Sequence, residues 1–320
     1  MKNSLLCLHL KDVIKMKIIK ATLSIALLAT SALALSSTAA LAHNHKAEQH
    51  KMDHHADKTA LDMALSSQTD EVKKRYQYRH PKETLTYFGI TPGMTVAEVL
   101  PGGGWYSKVL LPYLGPEGKL VGVDYSYDMW KVWRGDNEKA AKFLAERKTW
   151  TSTWTEEAKT WTTKDSAAID AFSFGAVPKQ LNGTIDAFLW VRAIHHLGRF
   201  EDKGQYRMPA LKEMYTALKP GGIVGIVQHR APEESDDAWA IGKNGYIKQS
   251  AVIANMKAAG FELVGTSEIN ANALDKPTNE DFVWRLPPSF ATSKDDVKKH
   301  DVMAAIGESD RMTLKFRKPK

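Results

Sequence analysis

The sequence predicts an α/β protein with a doubly wound, mostly parallel sheet of seven strands and an antiparallel last strand. Short apolar runs alternate along the chain with longer stretches of helical periodicity. Alternation of this kind is typical of parallel strands that are covered by helices on both faces. The last two apolar runs have no long helix between them, so the final strand can pair antiparallel with its neighbours.

Each predicted strand is a short apolar run with turn residues on both sides. The first passes directly into a loop that contains three glycines, the second ends in Asp124, and the third is poorly marked. In chain order, the predicted strands cover residues 95–100, 119–124, a stretch within 160–174, 184–191, 223–228, 261–269 and 312–316.

The predicted helices have apolar residues at helical spacing, and most of them end at a proline or a glycine. The segment 270–311 contains Pro277, Pro287 and Pro288, and it is expected to be a loop. In chain order, the predicted helices cover residues 56–78, 83–88, 105–114, 136–147, 208–218 and 246–259.

Residues 1–42 are predicted to be a leader that contains a signal peptide. Lys17 and Lys20 precede an apolar run that ends in Ala-Leu-Ala at positions 40–42, and Met16 is the alternative start of translation. A positive start, an apolar run and small residues at the end are typical of secretory signals. We therefore expect an exported, periplasmic protein that has no stable membrane insertion after processing. An uncleaved anchor is the alternative.

Residues 43–58 are predicted to form a flexible, histidine-rich tail. Five histidines in this stretch could bind a metal weakly, because neutral imidazole is a common ligand, but their spacing follows no metal-site pattern. No metal site is expected in the domain that follows. The single cysteine of the chain, Cys7, precedes the predicted cleavage point, so a disulfide and a catalytic thiol are not expected in the mature protein.

The formal net charge of +7 does not indicate nucleic acid binding. Five lysines and one aspartate within residues 1–42 supply +4 of it, and the remaining basic residues are scattered among nearly as many acidic ones. A scattered excess is typical of a solvated surface and not of a phosphate-binding face. A small molecule is therefore the expected partner.

The loop after the first predicted strand has the features of a nucleotide-like cofactor site. Gly102, Gly103 and Gly104 would let the backbone turn tightly and approach a ligand, and the next helix begins directly after them. Asp124, at the end of the second strand, could accept hydrogen bonds from both ribose hydroxyls. The dinucleotide fingerprint would need a glycine where Ser107 stands, which disfavours an NAD-dependent oxidoreductase.

Glu98 lies four residues before Gly102, and this arrangement resembles the first motif of class I S-adenosylmethionine-dependent methyltransferases. Leu100 stands at the position of the first glycine of that motif. Residues 186–189, 192–197 and 218–222 are similar to later segments of the family. The stretches 98–106 and 307–312 resemble a little-characterised group of exported predicted methyltransferases.

The resemblance covers residues 75–318 and implies a Rossmann-like, seven-stranded sheet in which the last strand is inserted antiparallel. It also implies S-adenosylmethionine as the cofactor, bound by Glu98, Gly102, Gly103, Gly104 and Asp124. Residues 59–320 are accordingly predicted to form one methyltransferase-like domain.

His195 and His196 follow the fourth predicted strand, at the edge where a methyl acceptor should lie. Either ring could deprotonate a hydroxyl or an amine, because imidazole titrates near neutral pH. Packing against the cofactor or capping of the next helix is the alternative. His229, at the end of the fifth strand, is the second-choice base, and Arg192 could orient an acidic substrate or lie at the surface.

Aromatic residues give less specific expectations. Trp105 and Tyr106 could wall the cofactor pocket or belong to the core, and the tryptophan-rich stretch 150–161 could flank the acceptor groove.

Three functions remain open at this point. The first is methyl transfer to a small molecule or a side chain. The second is a non-catalytic, exported ligand-binding module, which the predicted export favours because the methyl donor is made in the cytosol. The third, an NAD-dependent oxidoreductase, is disfavoured by Ser107.

Overall fold

A central sheet organises the protein, of which a computed structural model describes residues 60–320. Its strands are β1 (Thr95–Val99), β2 (Lys119–Asp124), β3 (Ala168–Ser173), β4 (Ile185–Val191), β5 (Leu218–Ala231), β6 (Ile247–Lys248), β7 (Glu262–Ser267) and β8 (Arg311–Arg317). They lie in the order β3-β2-β1-β4-β5-β8-β7, and the two-residue β6 pairs with β5 outside this path.

Strand direction confirms the predicted fold class. Strands β3, β2, β1, β4 and β5 are parallel to one another. In contrast, β8 lies between β5 and β7 and is antiparallel to both. The chain builds outward from β1 to β3 and then crosses back to place β4 on the other side of β1. This reversal makes the carboxyl edge between β1 and β4 the place where ligands bind in open α/β sheets.

Helices cover both faces of the sheet. They are α1 (residues 60–66), α2 (Asp70–Lys73), α3 (Tyr76–Arg79), α4 (Pro81–Phe88), α5 (Trp105–Leu114), α6 (Tyr127–Arg134), α7 (Glu138–Lys148), α8 (Trp150–Lys159), α9 (His195–Arg199), α10 (Glu201–Gly204), α11 (Arg207–Ala217), α12 (Gln249–Ala258) and α13 (Val297–Ile306).

The core has two layers, one on each face of the sheet. Val109 and Leu110 of α5 pack in one layer, and Leu211 and Met214 of α11 pack in the other. All four side chains are fully buried. Burial of such a side chain contributes about 2 kcal/mol each, so the two layers hold the strand ends, and the loops that leave them, in fixed positions.

Several segments differ from the sequence-based expectation. Helices α6, α8, α9 and α10 lie where none was predicted. The single helix predicted over residues 56–78 is divided, within its described part, into α1, α2 and α3. The predicted loop 270–311 contains α13, whose N-cap Asp296 accepts a hydrogen bond from the Lys299 N–H at 3.0 Å. A cap of this kind stabilises a helix start by about 1 kcal/mol, and the prolines that suggested a loop all lie before it.

The predicted leader (residues 1–42, with Met16 as alternative start) and the histidine-rich tail (residues 43–58), with its proposed weak metal binding, lie outside the described residues. Between residues 60 and 320, no helix is both long enough and apolar enough to cross a membrane.

Candidate active site

A cleft of about 530 Å³ opens at the carboxyl edge of the sheet, above β1, β4 and β5. The glycine loop that follows β1 forms one wall, and residues 191–196, which follow β4, form another. Residues 283–289 and the pair Glu308 and Ser309, from the segment expected to be a loop, close the remaining sides together with residues 71–79. The volume is within the range that small-molecule sites occupy.

The glycine loop presents bare backbone to this cleft. Leu100, Gly102 and Gly104 have φ angles of 52°, 57° and 72°. Leu100 therefore adopts the left-handed conformation that a glycine would favour, at a cost of about 1 kcal/mol. The N–H groups of Gly102 and Gly103 donate to no described residue. A Cβ atom built on either glycine would meet no described atom within 4 Å, so a ligand can approach both.

Gly104 differs from the other two glycines because an aromatic ring covers it. A Cβ atom at this position would lie 2.3 Å from Trp161. The tryptophan-rich stretch thus packs on the back of the loop through Trp161, whereas Trp105 lines the cleft itself. Tyr106, in the first turn of α5, is buried in the core layer on that face of the sheet.

Glu98 lies beneath the loop and does not line the cleft. Its carboxyl group is buried and accepts a hydrogen bond from Ser107 Oγ at 2.6 Å. Burial raises the pKa of Glu98 to about 8, against the lowering effect of the Ser107 hydrogen bond. The side chain is therefore largely protonated at neutral pH, and it links β1 to the first turn of α5.

Asp124, at the end of β2, is only 1% exposed and does not line the cleft. One carboxylate oxygen accepts the Tyr125 N–H at 2.8 Å, and the other accepts Arg147 Nη1 at 3.2 Å. Burial raises the pKa of Asp124, and the charge of Arg147 opposes that shift. The guanidinium also lies 4.5 Å from the ring centre of Trp130. A ribose that used Asp124 would have to displace Arg147.

The structure brings the three histidines of the sequence analysis together in the cleft. His195 and His196 begin α9, and His229 lies in β5. The ring centres of His195 and His196 are 3.9 Å apart, and those of His195 and His229 are 5.7 Å apart. All three rings are buried, and all three line the cleft.

Hydrogen bonds define which nitrogen of His195 carries the proton. The Gln228 amide donates to the Gly245 carbonyl at 2.7 Å, which turns its oxygen toward His195 Nδ1 at 3.2 Å. Nδ1 must therefore be the donor, and Nε2 carries the lone pair. Nε2 has no hydrogen-bond partner within residues 60–320. Burial lowers the pKa of His195 to about 4, so the ring is neutral at physiological pH.

The other two rings are also neutral. His196 Nδ1 lies 3.2 Å from the Tyr125 hydroxyl, which itself donates to the Ala193 carbonyl. His229 Nδ1 lies 2.6 Å from Ser309 Oγ. Burial lowers the pKa of both rings well below the usual value, and the proximity of His195 adds to the shift.

A cluster of arginines around Glu308 is the part of the site that the sequence analysis missed. The buried Glu308 carboxylate accepts Arg75 Nε and Arg311 Nη1, each at 2.9 Å, and Arg79 Nε at 3.4 Å. Burial alone would raise its pKa, but Arg311, Arg79, Arg192 and Arg75 lower it to about 2. The resemblance of residues 307–312 to exported methyltransferases was the signal that pointed here.

The described part of the chain holds no cluster of three or more His, Cys, Asp or Glu residues suited to a metal ion. The amides of Gly102 and Gly103 donate to no described residue, and the glycine loop and the ring of His195 line one cleft, which suits an organic cofactor and its acceptor. Strand order, the antiparallel β8 and the glycine loop together define a Rossmann-like, methyltransferase-type fold.

Comparison with known proteins finds only short or distant similarity. No family model matches the chain. The ribosomal RNA small subunit methyltransferase H of Flavobacterium psychrophilum is 46% identical over 50 residues, which cover 16% of this chain and 17% of that protein. The chain thus aligns with about a sixth of the length of this curated relative, a stretch too short to establish a shared family.

Solved methyltransferase structures show distant similarity. A SAM dependent methyltransferase from Aquifex aeolicus is 18% identical, with 63% of this chain and 94% of that one covered and a TM-score of 0.41. The 1,6-didemethyltoxoflavin-N1-methyltransferase of Burkholderia thailandensis, solved with S-adenosylhomocysteine, is 11% identical, with 85% and 84% covered and a TM-score of 0.40. At TM-scores this low, the fold is assigned from the strand order described above.

Proposed function

We propose that the protein is an S-adenosylmethionine-dependent methyltransferase that acts on a small molecule or a side chain. One observation carries this proposal: the glycine loop, with its free Gly102 and Gly103 amides, and the ring of His195 line the same cleft. The resemblance of Glu98, Gly102 and Gly104 to the family motif supports it.

In this proposal the chain has two tasks, to position the reactants and to accept a proton. The bound cofactor supplies an electrophilic methyl group. The Gly102 and Gly103 backbone would hold the cofactor, and His195 Nε2 would take a proton from an acceptor hydroxyl or amine. Gln228 fixes the tautomer that makes this possible. Because burial disfavours the imidazolium, His195 would return that proton to solvent after transfer.

Calorimetric titration of the mature chain, residues 43–320, with S-adenosylmethionine, S-adenosylhomocysteine and NAD tests the proposal. We expect the first two to bind and NAD not to bind. Binding of NAD alone would favour the oxidoreductase. Release of S-adenosylhomocysteine from S-adenosylmethionine over a panel of hydroxyl and amine acceptors would then establish turnover, with His195→Asn as the matched inactive variant.

A non-catalytic ligand-binding module is the second candidate, and the contact between Asp124 and Arg147 favours it. That contact occupies the carboxylate that a methyltransferase would offer to the ribose. Binding of neither S-adenosyl compound would support this module and contradict the enzyme.

Export to the periplasm is part of the proposal and is supported by the signal-like pattern of residues 17–42. N-terminal sequencing of protein recovered from a periplasmic fraction should begin at His43. Recovery of the intact N-terminus from the cytosolic fraction alone would contradict export.

A further inference from the structure

The cleft carries more positive charge than its carboxylates can neutralise. Arg75, Arg79 and Arg192 all line it, and Arg311 lies directly behind them, yet these four guanidinium groups share Glu308 as their buried acid. Glu71 also lines the cleft, but its carboxylate is exposed and pairs with Lys74. A buried excess of cations is unfavourable unless an anion completes it.

Both carboxylate oxygens of Glu308 already accept hydrogen bonds, so some N–H donors of the surrounding arginines have no acceptor on Glu308. Arg75 and Arg79 use one carboxylate oxygen, and Arg311 uses the other at 2.9 Å. Arg192 Nη1 is 3.8 Å from that second oxygen, too far for a hydrogen bond. Its Nε is buried and has no partner among the described residues. Arg192 is therefore the cleft-lining arginine whose guanidinium makes no hydrogen bond to a described residue.

The backbone directs Arg192 to the acceptor side of the cleft. The residue follows β4 with a φ of 57°, and its N–H donates to the Val227 carbonyl at 2.6 Å. It lies three positions before His195, and both side chains line the same cleft. A left-handed arginine is uncommon, and its cost of about 1 kcal/mol indicates that this orientation is maintained by its surroundings.

We propose that Arg192, together with Arg75 and Arg79, binds a carboxylate or phosphate group of the methyl acceptor. The acceptor is then an anionic small molecule, held by its charge while the group to be methylated lies at His195 Nε2. The identification of this ligand as an acceptor depends on the proposed function, whereas anion binding does not. The cofactor has a carboxylate of its own, so the test must separate the two sources.

The first experiment titrates the mature chain with succinate and with inorganic phosphate and follows the fluorescence of Trp105 and Trp284, which line the cleft. Arg192→Gln should weaken the binding of at least one of them by about tenfold or more, because charge-assisted hydrogen bonds are lost. Arg317→Gln is the matched control. It removes the same charge from the far end of β8, where Arg317 pairs with Glu262, and should leave the affinity unchanged.

Equal affinity in wild type and Arg192→Gln, or an equal loss in the Arg317→Gln control, would overturn the anion subsite. Arg192 is the least buried of the three cleft arginines, with 29% of its side chain exposed, so its replacement should be tolerated. Arg75→Gln, with 15% exposed, provides an independent second variant.

The second experiment measures the affinities of the same variants for S-adenosylhomocysteine and for 5′-methylthioadenosine, which lacks the amino-acid portion. If the arginines bind the acceptor, Arg192→Gln leaves both affinities unchanged. A loss confined to S-adenosylhomocysteine would assign the cluster to the cofactor carboxylate and overturn the proposal. Succinate or phosphate binding without any adenosyl binding would retain the anion subsite and contradict the methyltransferase function instead.

Discussion

The two halves of the carboxyl edge differ in how their ionisable groups are paired. The histidine half, defined by Arg192, His195, His196 and His229, lines the cleft and contains ionisable side chains with unpartnered atoms. The aspartate half, defined by Asp124, Arg147, Trp130 and Trp133, is filled by an ion pair and two stacked rings.

The contrast shows that one part of a sheet edge can offer an open ligand cleft while the neighbouring part has its carboxylate already paired. The histidine half carries desolvated groups in neutral form, an arrangement that makes stability depend on pH. The aspartate half has already satisfied the carboxylate on which nucleoside binding would depend. If the methyltransferase proposal is correct, cofactor binding must therefore rearrange the aspartate half more than the histidine half.

The largest expected effect concerns acid stability in the histidine half. The unfolded chain binds a proton at His195 near pH 6.5, whereas the folded protein does so near pH 4. Stability is therefore fully present above pH 6.5 and is lost as the pH falls toward 4. Urea unfolding at pH 7 and pH 4.5 should show a loss of about 2–3 kcal/mol from this residue.

His195→Asn removes that titration, so its unfolding free energy should depend less steeply on pH than that of the wild type. His300→Asn, in an exposed ring on α13, is the control for the removal of an imidazole as such. Identical pH slopes for His195→Asn and wild type would show that His195 is not desolvated, and the contrast between the two halves would disappear.

The second prediction tests whether the aspartate half is a closed ribose site. Asp124→Asn should weaken S-adenosylhomocysteine binding by about 1–3 kcal/mol, because charged hydrogen bonds to the ribose are lost. Arg147→Leu should strengthen it several-fold, since the ribose no longer competes with a guanidinium, although the apo protein loses stability. Calorimetric titration with S-adenosylhomocysteine measures the affinity of both variants. Weaker binding in Arg147→Leu would contradict the role of Arg147 as a competitor.

The sequence predicted the histidine half better than the aspartate half, and the reasons are physical. Strand periodicity and the rule that ligands lie at carboxyl edges are local signals, and they place His195, His196 and His229 together. The Asp124–Arg147 contact depends on how α7 packs over β2, which no local pattern encodes. Likewise, Arg75 reaches Glu308 across 233 positions, through short helices that were predicted as one.

The last prediction compares two adjacent glycines that the sequence analysis treated alike, one of which should show the smallest effect of all. Gly104→Ala should destabilise the fold by about 1–3 kcal/mol, because its φ is 72° and the new Cβ would lie 2.3 Å from Trp161. Gly103→Ala should change the unfolding free energy by less than about 0.5 kcal/mol, since its Cβ would point into open space and meet no described atom within 4 Å. Thermal unfolding of the two variants compares them directly. Equal destabilisation would mean that Trp161 does not cover Gly104.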